Sequence, residues 1–208
     1  DPVEAVRHAA VTGLADLREP AAVEALKGAL TDPSPWVRMA LARAVSGHRD
    51  GPRTGPLVSL LDVLAADPDD GVRVEALLAI AVSADATGRA AFPARVEAQP
   101  RTVRAQLKEV DLSHPALVLL ARQVEEDRDA WLRTSALETL AAVGRCPEAM
   151  LVQAFRDPAP EVRALAAALL PDDASAEARA ARRRLERDPV ESVRAAAGGA
   201  YRRPQANA

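Results

Sequence analysis

One phrase recurs along this chain, Asp-Pro-x-x-x-Val-Arg, and it limits the folds open to the chain more than any other feature. Its Val-Arg pairs stand at 6–7, 37–38, 72–73, 103–104, 162–163 and 193–194, with Leu132-Arg133 as a variant. The steps between successive pairs are 31, 35, 31, 29, 30 and 31 residues. A near-constant period of this size belongs to stacked supersecondary units that each contact their neighbours.

Counting the leading Asp as place 0, places 5, 9 and 13 are apolar in almost every copy. They read Val37/Leu41/Val45, Val72/Ala76/Ile80, Leu132/Ala136/Leu140 and Val162/Ala166/Leu170, and the outer copies are Val6/Ala10/Leu14 and Val193/Ala197/Tyr201. Steps of four residues put these places on one helical face, and place 12 joins them. Pro35 and Pro160 sit where a first helical turn tolerates a missing N–H, and Ser34, Asp69 and Asp129 stand one place earlier as N-cap candidates. The phrase therefore predicts a helix in each copy, starting near 3, 34, 69, 100, 129, 159 and 190. Second apolar runs at 21–31, 55–66, 85–98, 115–126, 147–156 and 174–187 predict a partner helix for each. The chain is read as all-α, a single solenoid over 1–208 of about seven helical repeats.

Composition agrees. Hydrophobic residues make up 49% but aromatics only 2%, so much of the apolar content is Ala, which buries little area and favours closely packed helices over one bulky centre. The net charge of −3 gives no global attraction to a phosphate backbone. Cys146 is the single cysteine, and His8, His48 and His114 have no metal-ligand spacing. No run approaches the ~18 apolar residues of a membrane span. A cytoplasmic protein is expected. Arginine stands almost everywhere for lysine, only Lys27 and Lys108 being lysines, a usage that points to a GC-rich bacterial genome.

The Asp-Pro-x-x-x-Val-Arg helices resemble the HEAT-repeat superfamily, in the short bacterial form also found in phycobilisome-lyase-like proteins. The period of about 31 is shorter than the ~40–47 residues of ordinary HEAT units. The resemblance covers essentially the whole chain. It implies a right-handed α-α superhelix, motif helices along the concave side, and protein binding as the role.

Three departures carry expectations of their own. The fourth copy has Ala98 for the Asp, Asp111 at a core place, and Pro93, Pro100 and Pro115 nearby, so it should be the least regular unit. The step of 35 leaves a longer connection at 47–55. The first repeat is incomplete, because the chain opens directly on a motif helix. Val6, Ala10 and Leu14 would then lack a partner, which predicts that the chain is a portion of a longer one.

With places 5, 9, 12 and 13 in the core, places 4, 7, 11 and 14 face outward. They read Trp36, Met39, Arg43 and Ser46 in the second copy, Gly71, Val74, Leu78 and Ala81 in the third, and Trp131, Thr134, Glu138 and Ala141 in the fifth. Trp36, Met39, Val74 and Leu78 are expected to form one apolar patch rimmed by Arg43 and Glu75, suited to anchoring a partner, with Trp131 and Glu138 as further contacts. Lateral packing of Val74 and Leu78 between helices is the competing structural reading. The Asp and Arg of successive motifs are expected to hydrogen-bond between neighbouring units. A local basic excess centres on Arg179, Arg182, Arg183, Arg184 and Arg187, with Arg194, Arg202 and Arg203 beyond. Arg182 to Arg184 are consecutive and point in several directions, which weakens a nucleic-acid groove.

Glycine-rich phosphate loops, nucleophile elbows and metal-spaced ligand sets are missing from the sequence, so no catalytic residue, metal or cofactor is assigned. Arg145 beside Cys146 could lower that thiol's pKa. The leading reading is a scaffold that binds another protein or another domain of the same protein. A nucleic-acid-binding or DNA-repair solenoid is the first alternative, disfavoured by acidic residues in the outward row. A lyase-type subunit is the second, supported by analogy alone.

Overall fold

The computed structural model describes residues 1–15, 20–46, 58–83 and 86–200. The long connection expected at 47–55, His48 within it, Tyr201, Arg202 and Arg203 lie outside the described residues, as does the side chain of Ser46. Among the described residues there are thirteen α-helices, two short 3-10 turns and no strand. The motif helices are α1 (Glu4–Ala15), α3 (Pro35–Ser46), α5 (Asp70–Ser83), α7 (Arg101–Glu109), α9 (Ala130–Ala142), α11 (Pro160–Leu169) and α13 (Glu191–Ala197). Alternating with them are α2 (Pro20–Gly28), α4 (Val58–Leu64), α6 (Ala86–Glu97), α8 (Pro115–Glu126), α10 (Glu148–Ala154) and α12 (Ala176–Arg184).

The chain divides into two compact units, Asp1–Leu119 and Leu120–Ala208. In the first, α1 stacks on α3, α3 on α5 and α5 on α7; in the second, α9 stacks on α11 and α11 on α13. This motif-on-motif stacking makes each unit an all-α solenoid. Place 5 supplies the centre of nearly every joint, Val37, Val72, Val103, Val162 and Val193 being wholly buried. Place 10, which the sequence pattern left out, is buried as well in Val11, Ala42, Leu77, Leu137 and Ala167. At the start of the chain Val6 is 48% exposed while Val11 is 5% exposed. Place 10 is therefore covered by the following repeat, and place 5 looks to the other side.

The Asp and Arg of successive motifs build a ladder along each unit. Arg7 Nε donates to Asp32 Oδ2 at 2.7 Å and its Nη2 to Oδ1 at 3.0 Å. Arg38 repeats this fork on Asp67, Arg133 on Asp157 and Arg163 on Asp188, with distances of 2.7–3.0 Å. The remaining Nη1 donates backward to the carbonyl of the arginine's own motif Asp, as from Arg38 to Asp32 at 2.6 Å and from Arg133 to Asp127 at 2.8 Å. Each motif Asp also accepts the backbone N–H two residues on: Ser34 on Asp32, Asp69 on Asp67, Ala159 on Asp157 and Val190 on Asp188. One carboxylate thus closes an Asx turn that opens its own helix and receives the previous repeat's guanidinium.

The charge states follow from these contacts. Arg7 holds the Asp32 carboxyl below the usual carboxylate range, and Arg163 does the same for Asp188. Burial pushes Asp67 upward, but the hydrogen bonds from Arg38 and from the Asp69 amide outweigh it and leave its pKa lowered. These largely buried pairs add little net stability, because the cost of desolvating both charges offsets their attraction, whereas a fully buried Val or Leu contributes about 1.5–3 kcal/mol. Packing holds the joints, and the ladder sets their register.

The ladder stops at α5. Arg73 keeps the donor place, but the next motif offers Ala98, and Arg73 turns its Nη2 to Asp70 in its own first turn. The fourth copy is the least regular, as expected. Its helix α7 has nine residues and opens after Pro100, whose side chain makes no cap hydrogen bond. It ends before Asp111, so the core place that this carboxylate would occupy falls in an exposed turn. Asp111 instead accepts the Ser113 amide at 2.7 Å.

Candidate docking face

Places 4 and 7 of neighbouring motif helices meet on the outward row, and this register builds the site. His8, place 7 of α1, stacks on Trp36, place 4 of α3, with ring centroids 4.0 Å apart and planes 20° from parallel. Met39, place 7 of α3, lies over Gly71, place 4 of α5. A Cβ there would stand 3.3 Å from Met39 Sδ and 3.1 Å from Asp69 Oδ1, so Gly71 gives the room that the Met39 thioether needs. Trp36 remains 43% exposed. The three side chains thus form a short apolar strip across α1 and α3.

Arg43 borders this strip. Its side chain is 55% exposed, and its Nη2 donates to Glu75 Oε1 on α5 at 2.6 Å. Glu75 is buried, and its second oxygen meets His114 Nε2 at 3.3 Å. His114 Nδ1 accepts the Ala116 amide at 3.3 Å, which leaves the ring proton on Nε2, facing Glu75. Burial alone would raise the Glu75 carboxyl, but the hydrogen bonds from His114 and Arg43, and the charge of Arg43, bring it down to about 2. The ionised carboxylate therefore ties the turn before α8 to α5 and steadies Arg43.

Val74 and Leu78 do not belong to the exposed face. They are 6% and 1% exposed, and Ala81 beside them is 1% exposed. The expected patch of Trp36, Met39, Val74 and Leu78 is corrected accordingly, and lateral packing describes the latter two. The cause is the position of α5, which packs against α3, α4, α6 and α7 while His114 reaches it from the turn before α8. Ten of its fourteen residues are buried. Periodicity could not reveal this, because Val74 and Leu78 stand at outward places of the repeat and only the neighbours of this helix cover them. His8 was the residue missed. Its signal was present, since it occupies place 7 one repeat before Trp36.

In the second unit Trp131 is 44% exposed at the start of α9, and Thr134, Glu138 and Ala141 are half-buried. Asp129 caps this helix by accepting the Trp131 amide at 2.8 Å. The five arginines around α12 differ in their contacts and exposure. Arg179 donates to the carbonyls of Asp172 and Ala174, and Arg182 to that of Leu170, so both fasten the turn before α12. Arg183, Arg184 and Arg187 are exposed. Burial pushes the Cys146 thiol up to about 11, opposite to the lowering that its basic neighbour suggested.

Among the described residues no group of His, Cys, Asp and Glu is arranged to hold a metal, and no helix is long and apolar enough to cross a membrane. Residues 1–81 match the family model for HEAT repeats. No curated protein matches the chain. The matched segment runs from α1 to α5, the stretch over which the first run of the Asp–Arg ladder is unbroken, and the same fork resumes at Arg133 and Arg163.

Proposed function

Because this chain belongs to the HEAT-repeat superfamily, we propose that it is a protein-docking module whose anchor is the His8–Trp36–Met39 strip of its first unit, with Arg43 as the polar rim. HEAT repeats generally mediate contacts between proteins. The observation that carries this reading is that Trp36 stays 43% exposed while its ring is held by His8. A large aromatic side chain with its orientation already set loses little entropy on binding, and such residues dominate interface energetics. Arg43, fixed through Glu75, supplies directional donors beside it. Trp131 and Glu138 mark a secondary contact row on the second unit. The partner is another protein, or another domain of the same polypeptide, met in the cytoplasm, and the module itself carries out no catalysis.

The test compares wild type with Trp36→Ala/Met39→Ala and with Trp131→Ala in affinity capture at two salt concentrations, with bound proteins identified. A partner lost with the first variant and kept with the second supports the strip. Retention of every partner at wild-type level by Trp36→Ala/Met39→Ala sinks the proposal.

A further inference from the structure

We propose that the missing rung between α5 and α7 is a carboxylate-binding site, in which Arg73 receives an acidic side chain from outside the chain at the place left open by Ala98. Four joints define what this position ordinarily holds. In each, an arginine at place 6 grips the following motif's Asp through Nε and a second nitrogen, with Nε to oxygen at 2.7–2.9 Å. At the α5–α7 joint the arginine stands at the same place, but the acceptor is missing and the guanidinium is turned to Asp70 in place of the forward fork. Arg73 Nε is buried and has no hydrogen-bond partner, and its Nη2 rests on the neighbouring Asp70. A buried guanidinium N–H without an acceptor is unfavourable, and a carboxylate satisfies it with the fork geometry seen at the other joints.

Access and surroundings agree with this assignment. Ala98, Pro100, Arg101 and Thr102 are all exposed, so the side of the joint that would carry the carboxylate is open to solvent, and Arg101 adds positive charge there. Asp69 and Asp70 oppose a generally anionic ligand. Asp69 Oδ1 is occupied by the Val72 amide, and Asp70, which also accepts a hydrogen bond from the Thr102 side chain of α7, already neutralises Arg73 in the empty state. The site therefore selects one carboxylate able to displace Asp70, such as an Asp or Glu side chain of a docking segment. It lies at the ladder edge and does not depend on the Trp36 strip.

The experiment follows the arginine Nε–H resonances of the full chain, with Arg73 assigned by its loss in Arg73→Lys. The probes are an acetyl-Asp-Pro-amide, which mimics the motif's own acceptor, and its Asn-Pro counterpart. The expected result is a saturable shift of the Arg73 Nε–H with the Asp probe, at least about tenfold weaker with Asn because the charge-assisted fork is lost. In Ala98→Asp the resonance should sit at the bound position without probe and stop responding. Three results overturn the proposal: an Arg73 resonance that never moves, one that moves in proportion to those of exposed arginines, or an equal response in Ala98→Asp. Should Ala98→Asp not fold, the Asp and Asn probes on the unmodified chain decide alone.

Discussion

The joint between α3 and α5 and the joint between α5 and α7 start from the same arginine place and are held in different ways. In the first, Arg38 ties Asp67 to its own Asp32 carbonyl, and the Met39 sulfur lies close over Gly71. In the second, Arg73 finds no carboxylate ahead of it, and a local pair with Asp70 replaces the rung. The fourth repeat is held by other means: Val103 and Leu107 are buried, and His114 reaches Glu75 from the turn before α8. Register in a repeat stack can thus come from a regular side-chain ladder or from an irregular tertiary bridge, and this chain uses both within one unit. The price of the second solution is a shorter helix and a buried nitrogen without an acceptor.

The largest expected effect separates the two arginines. Arg38→Ala leaves Asp67, whose side chain is only 7% exposed, without its partner and should cost about 3 kcal/mol in denaturant unfolding. Arg73→Ala should leave the midpoint near that of wild type. Equal losses would show that the missing rung is no structural difference at all.

The next effect concerns the bridge. Glu75→Gln should destabilise the first unit by about 2 kcal/mol at neutral pH, allowing for solvent screening. Its folded pKa of about 2 lies below the ordinary 4.5. Its contribution is therefore fully present above pH 4.5 and is lost as pH falls toward 2. The acid limb of a stability-versus-pH curve should flatten in Glu75→Gln, and an unchanged limb would mean that the bridge contributes nothing.

Ala98→Asp should act in the opposite direction, gaining about 1 kcal/mol and slowing hydrogen exchange in α7 relative to α3. The smallest effect belongs to the docking strip. Trp36→Ala should lower stability by no more than about 1 kcal/mol, because nearly half of the side chain is already in water. A larger loss would make Trp36 a structural residue and weaken its assignment as an anchor.

Much of this arrangement was legible before any coordinates. The helix pairs, the buried Val at place 5 and the Asp–Arg pairing all repeat, and a repeated local pattern has one physical meaning in every copy. Ala98 and Asp111 marked the irregular unit for the same reason, since each breaks a rule that its neighbours obey. The apolar patch was misread at Val74 and Leu78, because a helical period assigns a face but not what stands opposite it.

The sequence by itself determined the period, the helix starts, the ladder partners and the place where the ladder fails, all of which depend on spacing along one chain and on the bonding capacity of individual side chains. Only the tertiary structure decided that α5 is covered on its outward row, that His8 orients Trp36, and that Glu75 joins Arg43 to His114. Those outcomes depend on residues up to 39 positions apart meeting in space, and no local propensity encodes such a meeting.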